Sequence, residues 1–192
     1  MNFYSDAKRL IAQKAAAMLN DGDTIYIDSG TTALMVAEEL VKRRSSVVVV
    51  THSLAVVEVL QETHGIELYV VGGRYLAHTR SMVGPITEQA LRSFRLSKMI
   101  LGISGVDYKN QALTMSPMEE VSIKRTAISQ SERVILVADH TKFGKPSLIS
   151  MIPLGDVHCI VTDATLPEEA TSTLNSLKID LVVAQPCSPQ IS

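Results

Sequence analysis

The chain has 192 residues, 46% of them hydrophobic, which is enough for one well-buried core and short of two independent domains of ordinary size. A formal net charge of −2 leaves no basic surplus of the kind a free-standing nucleic-acid binder carries, so DNA contact by this chain alone is not expected. The two cysteines, Cys159 and Cys187, have no ligand-like spacing, and no apolar run reaches bilayer-spanning length, so a reducing, cytoplasmic setting without membrane insertion is expected.

Helical and extended patterns alternate along the chain, the signature of βαβ units building a mostly parallel sheet covered by helices on both faces. Residues 5–20 read as a helix: Ser5 suits the cap, Leu10, Ile11, Lys14, Ala17 and Met18 recur at helical spacing, and Asp21-Gly22 supplies the stop. Residues 24–27 read as a short buried strand and 31–42 as a helix. The β-branched run Val47-Val48-Val49-Val50 follows and reads as a central strand. A helix over 53–62 and a strand over 67–71 lead to Gly72-Gly73. The spacing then predicts helices over 85–93, 117–130 and 167–175, with Pro117 in a first-turn position, and strands over 98–103, 133–137, 157–161 and 179–183. Residues 186–192, with Pro186 and Pro189, read as a flexible tail. No repeat or low-complexity linker divides the chain, so residues 1–192 are expected to form a single domain.

In an open parallel sheet, ligands gather where loops leave the carboxyl ends of the strands. The first such loop is Asp28-Ser29-Gly30-Thr31-Thr32, which offers hydroxyls, a tight turn and the amides of an opening helix. That combination favours a phosphate, though the same residues also make an ordinary helix cap. Thr51-His52-Ser53 follows the valine run and equally suits a cap. Gly72-Gly73-Arg74 brings a guanidinium to the same edge, suited to bidentate contact with phosphate or carboxylate, with an exposed turn arginine as the alternative. The loop Gly102-Ile103-Ser104-Gly105-Val106-Asp107 permits close approach and places Asp107 to accept from sugar hydroxyls or to form an Asx turn. Finally, residues 138–145 place Lys142 and Lys145 after a strand, where one cation can neutralise a phosphate.

Other chemistries lack their residues. The five histidines form no H-x-x-x-H or His/Cys pair, no G-x-G-x-x-G follows the first strand, and G-x-x-x-x-G-K-[ST] and G-x-S-x-G are both missing. No metal or cofactor is therefore expected.

Read in order, the loops resemble those of the effector-sensing domain of DeoR-family bacterial repressors. The resemblance is carried by Gly22-Asp23-Thr24 with Asp28 to Thr32, then Val50-Thr51-His52-Ser53, Val71-Gly72-Gly73 and Met82-Val83-Gly84-Pro85. It continues through Gly102 to Asp107, Glu119-Glu120 with Lys124-Arg125, and Ala138 to Gly144, so it covers nearly the whole chain. It implies a ribose-5-phosphate isomerase/CoA transferase-like fold that senses a phosphorylated sugar or related catabolic intermediate. By that resemblance Asp28, Ser29, Gly30, Thr31, Thr32 and Lys142 hold the phosphate, while His52, Gly73, Arg74, Ser104, Asp107 and Glu120 complete the ligand site. The family's DNA contact runs through a helix-turn-helix module that this sequence does not show, and paired operator half-sites imply a homo-oligomer. Two departures stand out. The family carries Asn where this chain has His52, and Lys124 falls roughly opposite the catalytic glutamate of the isomerases. A protonated lysine cannot act as a carboxylate base. A non-catalytic sensor is therefore expected, and the alternative is an aldose–ketose isomerase using Glu119, Glu120 or Asp107.

Overall fold

The computed structural model describes residues 3–185, with side chains from residue 6 onward; Cys187 and the 186–192 tail lie outside what it describes, and residue 5, expected as the cap, falls inside the first helix, which starts at Phe3. The chain opens with α1 (Phe3–Ala16) and β1 (Thr24–Ile27). The turn between them passes through Gly22 at φ +86°, a backbone conformation that favours glycine. Next come α2 (Thr31–Arg43), β2 (Val47–Thr51), α3 (Leu54–Leu60) and β3 (Ile66–Val70). A hairpin of β4 (Arg74–Leu76) and β5 (Ser81–Val83) precedes α4 (Pro85–Leu91) and β6 (Leu96–Leu101). Two short strands, β7 (Gly105–Asp107) and β8 (Ala112–Met115), lead through a 3-10 turn at Met118–Glu120 into α5 (Val121–Ser129). The chain closes with β9 (Ser131–Val137), β10 (Ile149–Pro153), β11 (Cys159–Thr162), α6 (Glu168–Ser176) and β12 (Asp180–Val183).

The main sheet has seven strands in the order β12-β11-β9-β6-β1-β2-β3, and every ladder in it is parallel. Its strands alternate between two cores, because successive side chains of a strand point to opposite faces. On β1, Ile25 and Ile27 pack with Ile11, Val36, Leu40 and Val56 of α1, α2 and α3. Tyr26 faces the other way, toward the core that includes Leu91, Ile123 and Leu174 of α4, α5 and α6. Among the described residues no helix is long and apolar enough to cross a membrane.

The chain builds outward from β1 through β2 to β3, then returns to place β6 on the other side of β1 and builds outward again. Connections leaving β1 and β6 therefore diverge, which opens a crevice at their carboxyl ends. Asp28 and Gly102 face each other across it.

The long elements stand close to their expected positions, with three corrections. The valine run is not central: β2 lies one place in from the edge, beside β3. A β-branched run reports burial on both faces, and β2 is buried on both faces without being in the middle. The helix expected over 117–130 begins as a 3-10 turn and becomes α-helical only at Val121. Five short strands, β4, β5, β7, β8 and β10, were not expected; they form a two-stranded and a three-stranded antiparallel sheet. Each is three to five residues long, too short for period-2 alternation to declare itself.

The turn after β3 depends on a close backbone approach. A Cβ on Gly73 would stand 1.9 Å from Thr87 Oγ1 and 3.0 Å from the Val83 carbonyl, and the Thr87 hydroxyl donates to the Gly72 carbonyl at 3.0 Å. Gly73→Ala is expected to destabilise the fold by about 1–3 kcal/mol through overpacking. Thr87→Ala in the same chain should recover part of the loss. Urea denaturation of the single and double variants checks this, and a neutral Gly73→Ala would contradict it.

Candidate ligand-binding site

The site is built on a buried ionic network at the β1/β6 crevice. Asp28, directly after β1, is fully buried; its Oδ2 accepts from the Gly102 amide at 2.9 Å and from Lys124 of α5. Lys124, 3% exposed, also donates to the Gly102 carbonyl at 3.3 Å and lies 3.8 Å from Glu120 Oε2, one helical turn earlier. Glu120, 4% exposed, accepts through Oε1 from the Ser29 hydroxyl at 2.8 Å and the Ser81 hydroxyl at 3.0 Å. One ammonium thus serves two carboxylates, and two hydroxyls supply the remaining donors. A buried charge is tolerable only when paired and hydrogen-bonded in this way.

Beneath this layer His52 and Tyr26 stack with ring centroids 5.7 Å apart, and Tyr26 Oη shares a 2.6 Å hydrogen bond with His52 Nδ1. Burial pushes the Asp28 carboxyl upward, but the adjacent Lys124 charge, His52 and the hydrogen bonds from Lys124 and Gly102 outweigh it. The net position is below the ordinary carboxylate value. Burial also drives the His52 imidazole below its usual value of 6.5, against the pull of Asp28 and Glu120 and with the help of Lys124. The Tyr26 hydroxyl is held well above its ordinary range by burial and then by Asp28 and Glu120, so it stays protonated. Asp28 Oδ1 and His52 Nε2 have no partner among the described residues.

Two cavities open above the network. The larger, about 410 Å³, is lined by Ser29, Thr31, Arg80, Ser104, Ser116, Glu120 and Lys124, among others. The smaller, about 70 Å³, is lined by Lys8, Thr31, Thr32, Asp139 and Lys142. They share Gly30, Thr31, Gly102 and Ile103, and so form two compartments of one site. Gly30 caps α2 without a side chain, which leaves the first-turn amides of that helix to other acceptors. Cations, amides and threonine hydroxyls around the small compartment suit a compact anion. The larger one presents hydroxyls, a carboxylate and an ammonium, donors and acceptors that suit a polyol.

The structure brings together Ser29, Gly30, Thr31, Thr32, Ser104, Glu120 and Lys142 from the sequence-derived set. Asp28 and His52 lie just behind them, Asp28 as the buried counter-ion of Lys124 and His52 in the layer below. Gly73, Arg74 and Asp107 line neither cavity. Gly73 packs on Thr87, Arg74 is exposed on β4, and Asp107 accepts from the amide and side chain of Asn110, the Asx turn that was the alternative to a ligand contact. Sequence reasoning missed Lys8, Arg80 and Lys124 as site residues. Lys124 carried a signal in its i,i+4 spacing from Glu120. Arg80 sits between two strands that periodicity did not reveal, and Lys8 is an ordinary lysine of an amphipathic helix.

A family model described as the DeoR C-terminal sensor domain matches residues 4–164. The chain belongs to the DeoR sensor-domain family. It is 40% identical over 169 residues to the transcriptional repressor AccR of Agrobacterium fabrum, covering 84% of this chain and 65% of that protein. It is 33% identical over 177 residues to the glycerol-3-phosphate regulon repressor of Escherichia coli, covering 92% of this chain and 69% of that protein. This DeoR sensor thus spans about two thirds of the length of either repressor. Among solved structures, ribose 5-phosphate isomerase A of Methanocaldococcus jannaschii superposes with a TM-score of 0.54 at 16% identity, over 72% of this chain and 54% of that one. The sensor therefore shares the isomerase fold.

Two outcomes follow from the buried network of this DeoR sensor. Lys124→Met leaves Asp28 and Glu120 buried without a cation and is expected to cost about 3–5 kcal/mol of stability, whereas pairing it with Asp28→Asn should recover much of that. Denaturant titration of the three variants decides it. The second concerns pH. The folded state holds His52 below its unfolded value of 6.5, so it binds fewer protons than the unfolded chain as pH falls through that value. Asp28 acts in the same sense at lower pH. Stability should therefore be full above the unfolded His52 value of 6.5 and fall as pH drops through and below it, and His52→Asn should flatten that slope. Thermal melts on both sides of that value check it.

Proposed function

We propose that this domain binds a phosphorylated sugar or a related catabolic intermediate. The phosphate sits in the small compartment against the α2 amides and Lys142, and the carbon chain lies in the larger one. The observation that carries this reading is the shared wall, Gly30-Thr31 and Gly102-Ile103, which joins a compact basic recess to a cavity lined with hydroxyl-reading groups. One relative takes its name from glycerol-3-phosphate, in keeping with a small phosphorylated effector. In this reading the chain is the effector-sensing part of a cytoplasmic, homo-oligomeric repressor that meets DNA through a helix-turn-helix module supplied outside it.

We further propose that the domain does not catalyse isomerisation. Lys124 is committed to Asp28, and Glu120 is held by two serine hydroxyls. Of the other carboxylates an isomerase would need, Glu119 is exposed and Asp107 is turned to Asn110. Among the described residues the carboxylates nearest the larger cavity, Asp28 and Glu120, are both engaged by Lys124 or by hydroxyls, which supports a non-catalytic reading.

A panel of trioses, pentoses and hexoses, each with and without phosphate, tests both points by thermal shift and by NMR in deuterated water. A phosphorylated member at about a hundredfold excess over its Kd should stabilise the protein by about 2.7 kcal/mol, with no deuterium incorporation. The unphosphorylated counterpart should not, and Lys142→Met should weaken the phosphorylated ligand about tenfold. Equal binding of both forms would overturn the phosphate reading, and deuterium exchange would overturn the sensor-only reading.

A further inference from the structure

The small compartment is closed on its outer side by α1. Lys8 of that helix donates to Thr31 Oγ1 at 2.9 Å, bridging to the first residue of α2 across 23 positions of sequence. On another wall stands Lys142, in the 3-10 turn after β9. Lys42, Lys98, Lys109 and Lys124 each have a carboxylate within salt-bridge distance; among the described residues neither Lys8 nor Lys142 does. Asp139 also lines the compartment, but its Oδ1 is taken by the amide and hydroxyl of Thr141. Two ammonium groups and one carboxylate, Asp139, thus line a recess of about 70 Å³ with no salt bridge between them among the described residues, and a dianion relieves the surplus of positive charge that the two lysines bring.

Lys8 has further donors available. An ammonium carries three protons, and the one bond to Thr31 leaves two for a ligand. Its position matters as much as its charge. Lys142 belongs to a turn anchored to the sheet, with Asp139 accepting from the Thr141 amide at 3.0 Å. Lys8 instead belongs to a helix that packs across α2, β9 and β11 from outside. An anion that engages both lysines therefore joins α1 to the carboxyl edge of the sheet.

We infer that Lys8 is a phosphate-binding residue of the effector site and that the bound ligand fastens α1 to the start of α2, making the docking of α1 the ligand-responsive feature of the domain. The inference rests on the reading of a phosphorylated effector given above. It follows from the rule that a ligand shifts a conformational equilibrium only by its differential affinity for the two states. An α1 seated with Lys8 in the recess binds the dianion better than one displaced from it. Because the matched family is a C-terminal sensor domain, α1 is also the element nearest to whatever polypeptide precedes the sensor in a longer protein.

The test uses the full chain and compares wild type with Lys8→Met, Lys8→Arg and Lys14→Met. Lys14 lies on the same helix but lines a different cavity. Glycerol 3-phosphate, ribose 5-phosphate, glucose 6-phosphate and inorganic phosphate are titrated by calorimetry, and hydrogen exchange is followed with and without the tightest binder. Lys8→Met should weaken that binder about tenfold, Lys8→Arg should restore most of the affinity, and Lys14→Met should match wild type. In wild type the ligand should slow exchange in both α1 and the first turn of α2; in Lys8→Met the α1 protection should disappear. If wild type binds and Lys8→Met binds equally well, this inference falls while the sensor reading stands. Unchanged ligand protection of α1 in Lys8→Met overturns the coupling. If no phosphorylated compound binds wild type, the functional reading itself fails.

Discussion

The contact on which the site depends is the ammonium of Lys124 lying between Asp28 and Glu120. Asp28 directly follows β1, Glu120 and Lys124 come from the turn and helix that follow β8, and Gly102 directly follows β6, so this one cation joins three separate stretches of chain at the strand switch. Its charge also organises what surrounds it. Asp28 stays ionised despite burial, His52 stays neutral beneath it, and Glu120 is free to receive Ser29 and Ser81. Without the ammonium, two carboxylates would share a low-dielectric interior, an arrangement that proteins normally resolve by protonating one of them.

The same contact bears on the proposal that this domain binds without catalysing. Proton transfer between adjacent carbons needs a base with unsatisfied lone pairs facing the substrate. Here one oxygen of each carboxylate at the floor of the site is occupied, while Asp28 Oδ1 has no partner among the described residues. Asp28 Oδ2 is taken by an ammonium and an amide, and Glu120 Oε1 by two hydroxyls. The scaffold is retained because it offers what any phosphorylated ligand requires, a helix amino end at the carboxyl edge of a parallel sheet.

Much of this was legible in the sequence, and the limits follow from range of interaction. Long elements with sustained periodicity, such as α2 and the strands of the main sheet, could be placed to within a few residues because their pattern is local. Loops at the carboxyl edge could be picked out because topology makes that edge the binding edge, and Ser29, Thr31, Thr32, Ser104, Glu120 and Lys142 do converge there. What the sequence could not give was pairing at a distance. Nothing in the neighbourhood of Lys124 names Asp28, 96 positions away, as its partner. Lys8 looked like any solvated lysine until α1 was seen to cross the start of α2. Arg74 was singled out because it follows a glycine pair and Arg80 was passed over, yet the hairpin β4–β5 turns Arg80, not Arg74, into the lining of the larger cavity.

The departure at His52 bears on how such a site can respond to a ligand. The imidazole stacks on Tyr26, shares its hydroxyl and is wholly buried, so it belongs to a floor that cannot shift without exposing or unpairing Asp28, Glu120 or Lys124. Disturbing a buried pair of this kind costs about 3–5 kcal/mol, as much as a typical ligand-driven population shift supplies. The walls are different. Lys8 and Lys142 are half-exposed and carry no carboxylate partner among the described residues, so they can change position without any comparable penalty. A floor that resists displacement and walls that yield make a division of labour. The network holds the geometry against which the ligand is measured, and the conformational answer must pass through the elements that carry the two lysines.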